Sequence, residues 1–130
     1  QINFFGKCSY QASLSYAMES DILLIIDPPA ANGIIMTSKL SDYSQTGRPI
    51  LGITNQISTL HDIFDNYGGG IAADCNSIES ICNALCELYS HWEKGTLDEA
   101  YSSERLFHLF APEGIMKAYK SIFAGIGITK

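Results

Sequence analysis

The residues best placed to do chemistry in this sequence are Thr37, Ser38, Lys39 and Asp42. Thr37 or Ser38 can cap a short helix, whose first turn leaves backbone N–H groups free beside the positive end of the dipole. An anionic group such as a diphosphate can be held there without net positive charge on the protein, and Lys39 adds a point charge. Asp42 follows one turn later, where a carboxylate can accept hydrogen bonds from two sugar hydroxyls without repelling a phosphate at the helix tip. The same four residues also suit a plain helix cap with a solvated Lys39, and a surface acid steadied by the first-turn dipole. Local pattern alone leaves both readings open.

Other chemistries find little support. His61, His91 and His108 fall on different predicted helices without ligand spacing, so neither a metal nor a cofactor is expected. Cys8, Cys75, Cys82 and Cys86 contain no C-x-x-C pair, and Cys82 and Cys86 sit in an apolar helical stripe, which predicts reduced core thiols. No G-x-S-x-G, G-x-x-x-x-G-K-S/T or G-x-G-x-x-G is present. Gly68-Gly69-Gly70 follows a helix and precedes a strand, the wrong order for a dinucleotide fingerprint, and reads as a tight turn. Trp92 and the tyrosines at helical spacing are expected in the core rather than on a stacking platform.

The elements that would position these residues alternate between strand and helix. Ile2 to Phe5 reads as a first strand, and Ser9 as the cap of a helix with Leu14, Ala17 and Met18 on one face. The unbroken aliphatic run Ile22 to Ile26 suits a parallel strand covered on both sides, stopped by Asp27-Pro28-Pro29. Ala30 to Met36 reads as a loop leaving that strand's carboxyl end, where ligands of open α/β sheets often bind. After the short helix with Leu40, Tyr43 and Ser44 on one face, Gly47 and Pro49 lead into a strand at Ile50 to Ile53. Ser58 precedes a helix burying Leu60, Ile63, Phe64 and Tyr67, and Ile71 to Ala73 forms a weak last strand. Asn76 with Glu79 makes a capping box for a helix burying Ile78, Ile81, Cys82, Leu85 and Leu88. Beyond a polar stretch, Pro112 divides two helical pieces within a C-terminal helical segment of about 94–130. The expected fold is α/β: a Rossmann-like open parallel sheet with helices on both faces, in a single domain.

Length and charge set outer limits. With 130 residues, 46% of them hydrophobic and 17% charged, the chain can bury one core. A formal charge of -6 argues against nucleic acid as the main partner, because a phosphate-binding surface needs excess Lys and Arg. No apolar run reaches the ~18 residues of a membrane-spanning helix. Gln1-Ile2-Asn3-Phe4-Phe5-Gly6 opens directly in a strand-like run without an initiator Met, so upstream sequence is expected.

Phe4-Phe5-Gly6-Lys7-Cys8-Ser9-Tyr10, Ser20-Asp21-Ile22-Leu23-Leu24 and the block from Thr37 to Ile50 resemble, in order and spacing, the C-terminal domain of GT-B-fold, group 1 retaining glycosyltransferases. The third block is the most specific, because that family commonly shows a Lys-Leu-x-acid-Tyr helix running into Gly-x-Pro-Val or Gly-x-Pro-Ile. The resemblance covers nearly the whole chain. It implies that Gly6, Lys7 and Cys8 read the edge of the nucleotide base through their backbone, that Thr37, Ser38 and Lys39 bind the diphosphate, and that Asp42 grips the ribose. Asp42 matches the second acid of the family's Glu, seven residues, Glu motif; eight positions earlier stands Ile34, a departure that bears on the donor-sugar contacts.

The resemblance further implies a cytoplasmic enzyme, with room for a place at the inner face of the membrane, that needs no metal. Its donor is a nucleoside diphosphate sugar. Two more strand-helix units with a basic phosphate pair, and an N-terminal acceptor domain, would precede this chain. The chain alone is then expected to bind donor without completing transfer. Unpaired strand edges would lead it to self-associate through Ile2–Phe5 or the edge of Ile22–Ile26, unless the first strand collapses directly on the second. The alternative reading is a non-catalytic nucleotide- or partner-binding module of flavodoxin-like or receiver-like topology, although a receiver would want an acid cluster at its first strand end.

Overall fold

Three short aliphatic runs supply the sheet, because strands without alternation can be buried on both faces only in a parallel arrangement covered by helices. The computed structural model describes residues 2–27, 29 and 36–126. Strands β1 (Leu23–Ile26), β2 (Ile50–Thr54) and β3 (Gly70–Asp74) are parallel and lie in the order β1-β2-β3, with Leu24 beside Leu51 and Ile53 beside Ala73. The fold is α/β and Rossmann-like, as the alternation of elements predicts.

Helices α1 (Tyr10–Glu19), α2 (Ser38–Ser44) and α3 (Thr59–Tyr67) cover one face of the sheet. Their core joins Ala17, Leu23, Ile25, Leu40, Ile50, Leu60 and Phe64. The successive crossovers share a face because each is right-handed and the strand order advances in one direction. Helices α4 (Ile78–Glu93) and α5 (Leu97–Ala100) cover the other face, where Leu51 and Ala73 meet Ala84, Leu88, Leu97 and Tyr101. Helix α6 (Glu104–Phe110) returns to the first face through Leu106, and α7 (Pro112–Gly125) packs on α6. Each fully buried Leu or Ile contributes roughly 1.5–3 kcal/mol.

Two turns fix how the helices deliver the strands. Thr46 Oγ1 donates to the Tyr43 carbonyl at 2.7 Å and accepts the Arg48 N–H at 3.2 Å. Arg48 Nε then donates to the Met18 carbonyl at 2.9 Å, tying this turn to the end of α1, and the Pro49 carbonyl starts the β1–β2 ladder by accepting the Leu23 N–H. At the second turn Gly69 has φ +83°, and a Cβ there would lie 2.7 Å from Leu106 Cδ2, so a side chain is excluded by both conformation and space. This is the tight turn read from the glycine run.

Several expectations are corrected. Ile2–Phe5 is not a strand: Ile2 and Phe4 are 82% and 93% exposed, while the Phe5 ring stacks on Tyr16 at 5.0 Å. An apolar run becomes a strand only beside another strand, and among the described residues β1 pairs on one side alone. Helix α4 is capped by Ser77, whose Oγ accepts the Ser80 N–H at 3.1 Å, while the Asn76 backbone and side chain both donate to Asp74 Oδ1. Of the stripe expected in the core, Leu88 is buried and Ile81 half-buried, whereas Ile78, Cys82 and Leu85 are exposed. The floor under α4 is β2 and β3, which leaves the side of the helix nearest β1 uncovered. In α1, Ala17 is buried but Met18 is exposed. The thiols are free but not in the core: Cys8, Cys82 and Cys86 are exposed and Cys75 half-buried. Trp92, 49% exposed, stacks on Tyr89 at the surface, and Tyr10, Tyr16 and Tyr119 are also exposed. Among the described residues no helix is long and apolar enough to cross a membrane.

Candidate functional site

The carboxyl ends of parallel strands carry the sites of open α/β sheets, because helices begin there and present unpaired N–H groups. At this edge Asp27 directly follows β1, β2 ends on Thr54 and β3 on Asp74, and the amino ends of α1, α2, α3 and α4 gather around them.

The turn before α1 carries Gly6, Lys7 and Cys8, all exposed. Gly6 has φ +71° with open space where a Cβ would stand, so its conformation rather than crowding calls for glycine. Ser9 ends the turn by accepting the Ala12 N–H at 3.2 Å. Across from it, Leu40 and Ser44 are wholly buried and hold α2 on the sheet, as the one-face reading predicts. This leaves Ser38 and Lys39 exposed and Thr37 half-buried at the helix start. Thr37 occupies the cap position without a side-chain cap bond, although its carbonyl accepts the Leu40 N–H at 3.1 Å.

Asp42 is half-buried on α2 and accepts a hydrogen bond from the Tyr10 hydroxyl at 3.0 Å. The structure thus joins the segment following Gly6–Cys8 to the helix bearing Thr37, Ser38 and Lys39, across 32 positions of sequence. The hydrogen bond to Asp42 first, then desolvation and the carboxylate's charge, push the Tyr10 hydroxyl above its ordinary pKa, so Tyr10 remains a donor at neutral pH. Of the loop read over Ala30 to Met36, residues 30–35, with Ile34, lie outside the described residues.

The sequence reading missed Asp27. It is 6% exposed, and desolvation raises its carboxyl above the usual aspartate range, opposed by a hydrogen bond from the Thr54 hydroxyl at the end of the neighbouring strand. Its one sequence signal is an acid placed directly after an aliphatic strand, where the carboxyl edge of the sheet must be. Nearby, Cys75 Sγ donates to Asn55 Oδ1 at 3.5 Å. His61 Nε2, in the first turn of α3, is buried without a hydrogen-bond partner among the described residues. The other histidines serve packing: His91 Nδ1 bonds Thr96 Oγ1 at 2.9 Å, and the rings of His91 and His108 meet Tyr101 and Phe107 edge-on. Among the described residues no group of three or more His, Cys, Asp or Glu side chains gathers as metal ligands would.

Comparison of the chain with protein-family models, with curated proteins and with solved structures gives no match.

Proposed function

We propose that this chain is the donor-binding part of a glycosyltransferase that moves a sugar from a nucleoside diphosphate sugar to an acceptor. The Tyr10–Asp42 hydrogen bond carries this reading, because it holds together two sequence segments that would otherwise be independent. In this arrangement the backbone of Gly6, Lys7 and Cys8 meets the edge of the base. Asp42, oriented by Tyr10, accepts from the ribose hydroxyls, and the start of α2 with Lys39 faces the diphosphate. Transfer breaks the bond between the anomeric carbon and the diphosphate oxygen, and negative charge grows on the leaving diphosphate. Donors fixed in place before the reaction stabilise such charge without reorganising. The acceptor and the remaining phosphate contacts belong to other parts of the full enzyme.

Titration of the isotope-labelled chain with UDP, GDP, ADP and TDP, followed by NMR, tests the assignment. At least one should shift the Gly6 and Ser38 amides together, with a dissociation constant of about 1 mM, near 4 kcal/mol. Asp42→Asn should weaken that binding about tenfold, as expected when a charged acceptor is lost. Amides at Gly6 and Ser38 that stay still with all four nucleotides overturn the reading.

A further inference from the structure

Charge is unevenly placed along this acidic chain. Residues 1–103 carry twelve acids against four Lys or Arg, and residues 104–130 two acids against four. Helices α6 and α7 thus form a basic end on an acidic protein, and two of their cations share one groove. A Cβ at Gly114 would run into the His108 carbonyl, so glycine is what lets the first turn of α7 sit against the end of α6. Beside this contact lies a groove of about 620 Å³, a volume suited to a small molecule. Tyr67, Leu109 and Ala118 give it an apolar lining, to which Arg105, His108 and Lys117 add donors.

The guanidinium carbon of Arg105 stands 5.9 Å from the centroid of the Tyr67 ring. A cation steadied over an aromatic face is positioned without being neutralised. Among the described residues neither Arg105 nor Lys117 forms an ion pair, although Glu113 also lines the groove. Two cations against that one carboxylate leave the lining a single positive charge in surplus. The groove stands apart from the candidate site. Tyr67 closes α3, and Gly68 and Gly69 lead into the amino end of β3, so it lies toward the opposite edge of the sheet from Asp27 and Thr54.

We propose that this groove binds a small amphipathic anion: a pair of oxygens sharing one negative charge, as a carboxylate or a phosphodiester presents, on an apolar body. One negative charge matches the surplus of one positive charge. Arg105 offers a planar fork to the two oxygens and Lys117 a point charge beside it, while the body lies against Tyr67, Leu109 and Ala118. A doubly charged phosphate monoester leaves one charge unmatched, and an uncharged ligand takes water from the cations and returns nothing.

Titration of the isotope-labelled 130-residue chain, followed by NMR, tests the site. Phenylbutyrate and dibutyl phosphate carry the charge on an apolar body, acetate carries the charge alone and phenylbutanol the body alone. Phenylbutyrate, dibutyl phosphate or both should shift the Tyr67, Gly114 and Ser121 amides saturably, and which of them does so tells a carboxylate from a phosphodiester ligand. Acetate and phenylbutanol should bind about tenfold more weakly or less, lacking one half of the match. Arg105→Gln and Lys117→Ala should each weaken binding about tenfold, the loss expected for one charge-assisted hydrogen bond. Ala118→Phe keeps both cations, fills the groove and should remove binding. Lys94→Ala, just past α4 and outside the groove, should leave it unchanged. Circular dichroism checks that each variant keeps its helices, and Ser121→Phe replaces Ala118→Phe if it does not. Amides that stay still with both amphipathic anions, an equal response to acetate or phenylbutanol, or binding indifferent to the Arg105, Lys117 and Ala118 substitutions overturns the proposal.

Discussion

Replacing Gly69 by Ala tests whether the C-terminal helices are structurally joined to the sheet or merely follow it. The new Cβ would stand 2.7 Å from Leu106 Cδ2 and 3.2 Å from Leu106 Cβ, at a backbone φ of +83° that L side chains avoid. Backbone strain contributes about 1 kcal/mol and the overpacking a further ~1–3 kcal/mol. Leu106→Ala, at a wholly buried position, costs about 3 kcal/mol through lost burial and the cavity left behind. In the double variant the colliding methyl is gone and the new one fills part of the cavity, so the two costs overlap by roughly 1–3 kcal/mol. Domains of this size hold only about 5–15 kcal/mol, so a double variant that still folds cooperatively is itself informative. Urea unfolding of wild type, both singles and the double, with m-values checked for constancy, measures the coupling. Additivity within about 0.5 kcal/mol would refute the argument, because it would mean that Leu106 does not touch the Gly69 turn in solution.

Asp27→Asn should stabilise the chain at pH 7. The unfolded carboxyl titrates near ~3.9 and the folded one higher, so the folded state binds more protons in that interval and wild-type stability falls as pH rises through it. Thermal unfolding at several pH values should show this slope in wild type and its reduction in the variant, and a variant less stable at pH 7 sinks the reading. Tyr101→Phe removes the 2.6 Å hydrogen bond donated to Glu87 and should cost about 1 kcal/mol, measured by urea unfolding; no loss would mean that water replaces the hydroxyl. Ser77→Ala should cost ~1 kcal/mol and Asn76→Ala less, and the reverse order would restore Asn76 as the cap of α4.

The parts of this fold that local chemistry determines were legible in the sequence. Ser9 and Ser58 cap the helices read for them, the buried face of α3 is the one its spacing marks, and Pro112 opens α7 where the division was placed. What depended on distant neighbours was not. Ile2–Phe5 has the composition of a strand but, among the described residues, no strand beside it, and nothing within those residues reveals that. The wide apolar stripe of α4 was real, but which third of it meets the sheet depends on α4 lying over β2 and β3 rather than β1. At the candidate site, the start of α2 and Asp42 were visible as a capped helix with an acid one turn in. The Tyr10 hydroxyl that engages Asp42, and the burial of Asp27 beside Thr54, arise from elements brought together only by the crossovers.

The path of the chain from α5 to α6 has a bearing on how the protein is made. Leu97 and Tyr101 complete the core on one side of the sheet, and five residues after Tyr101 Leu106 completes the core on the other. A chain growing from its amino end therefore has all three strands before it has the side chains that seal either side. Until residues 97–106 have emerged, both faces of the sheet keep an open seam, and the first stretch of polypeptide able to close one seam is followed at once by the stretch that closes the other. Consolidation of both cores thus falls to one short stretch of chain, residues 97–106. A ribosome stalled before residues 97–106 emerge would hold a sheet unsealed on both sides, with apolar surface open to chaperones and to other nascent chains.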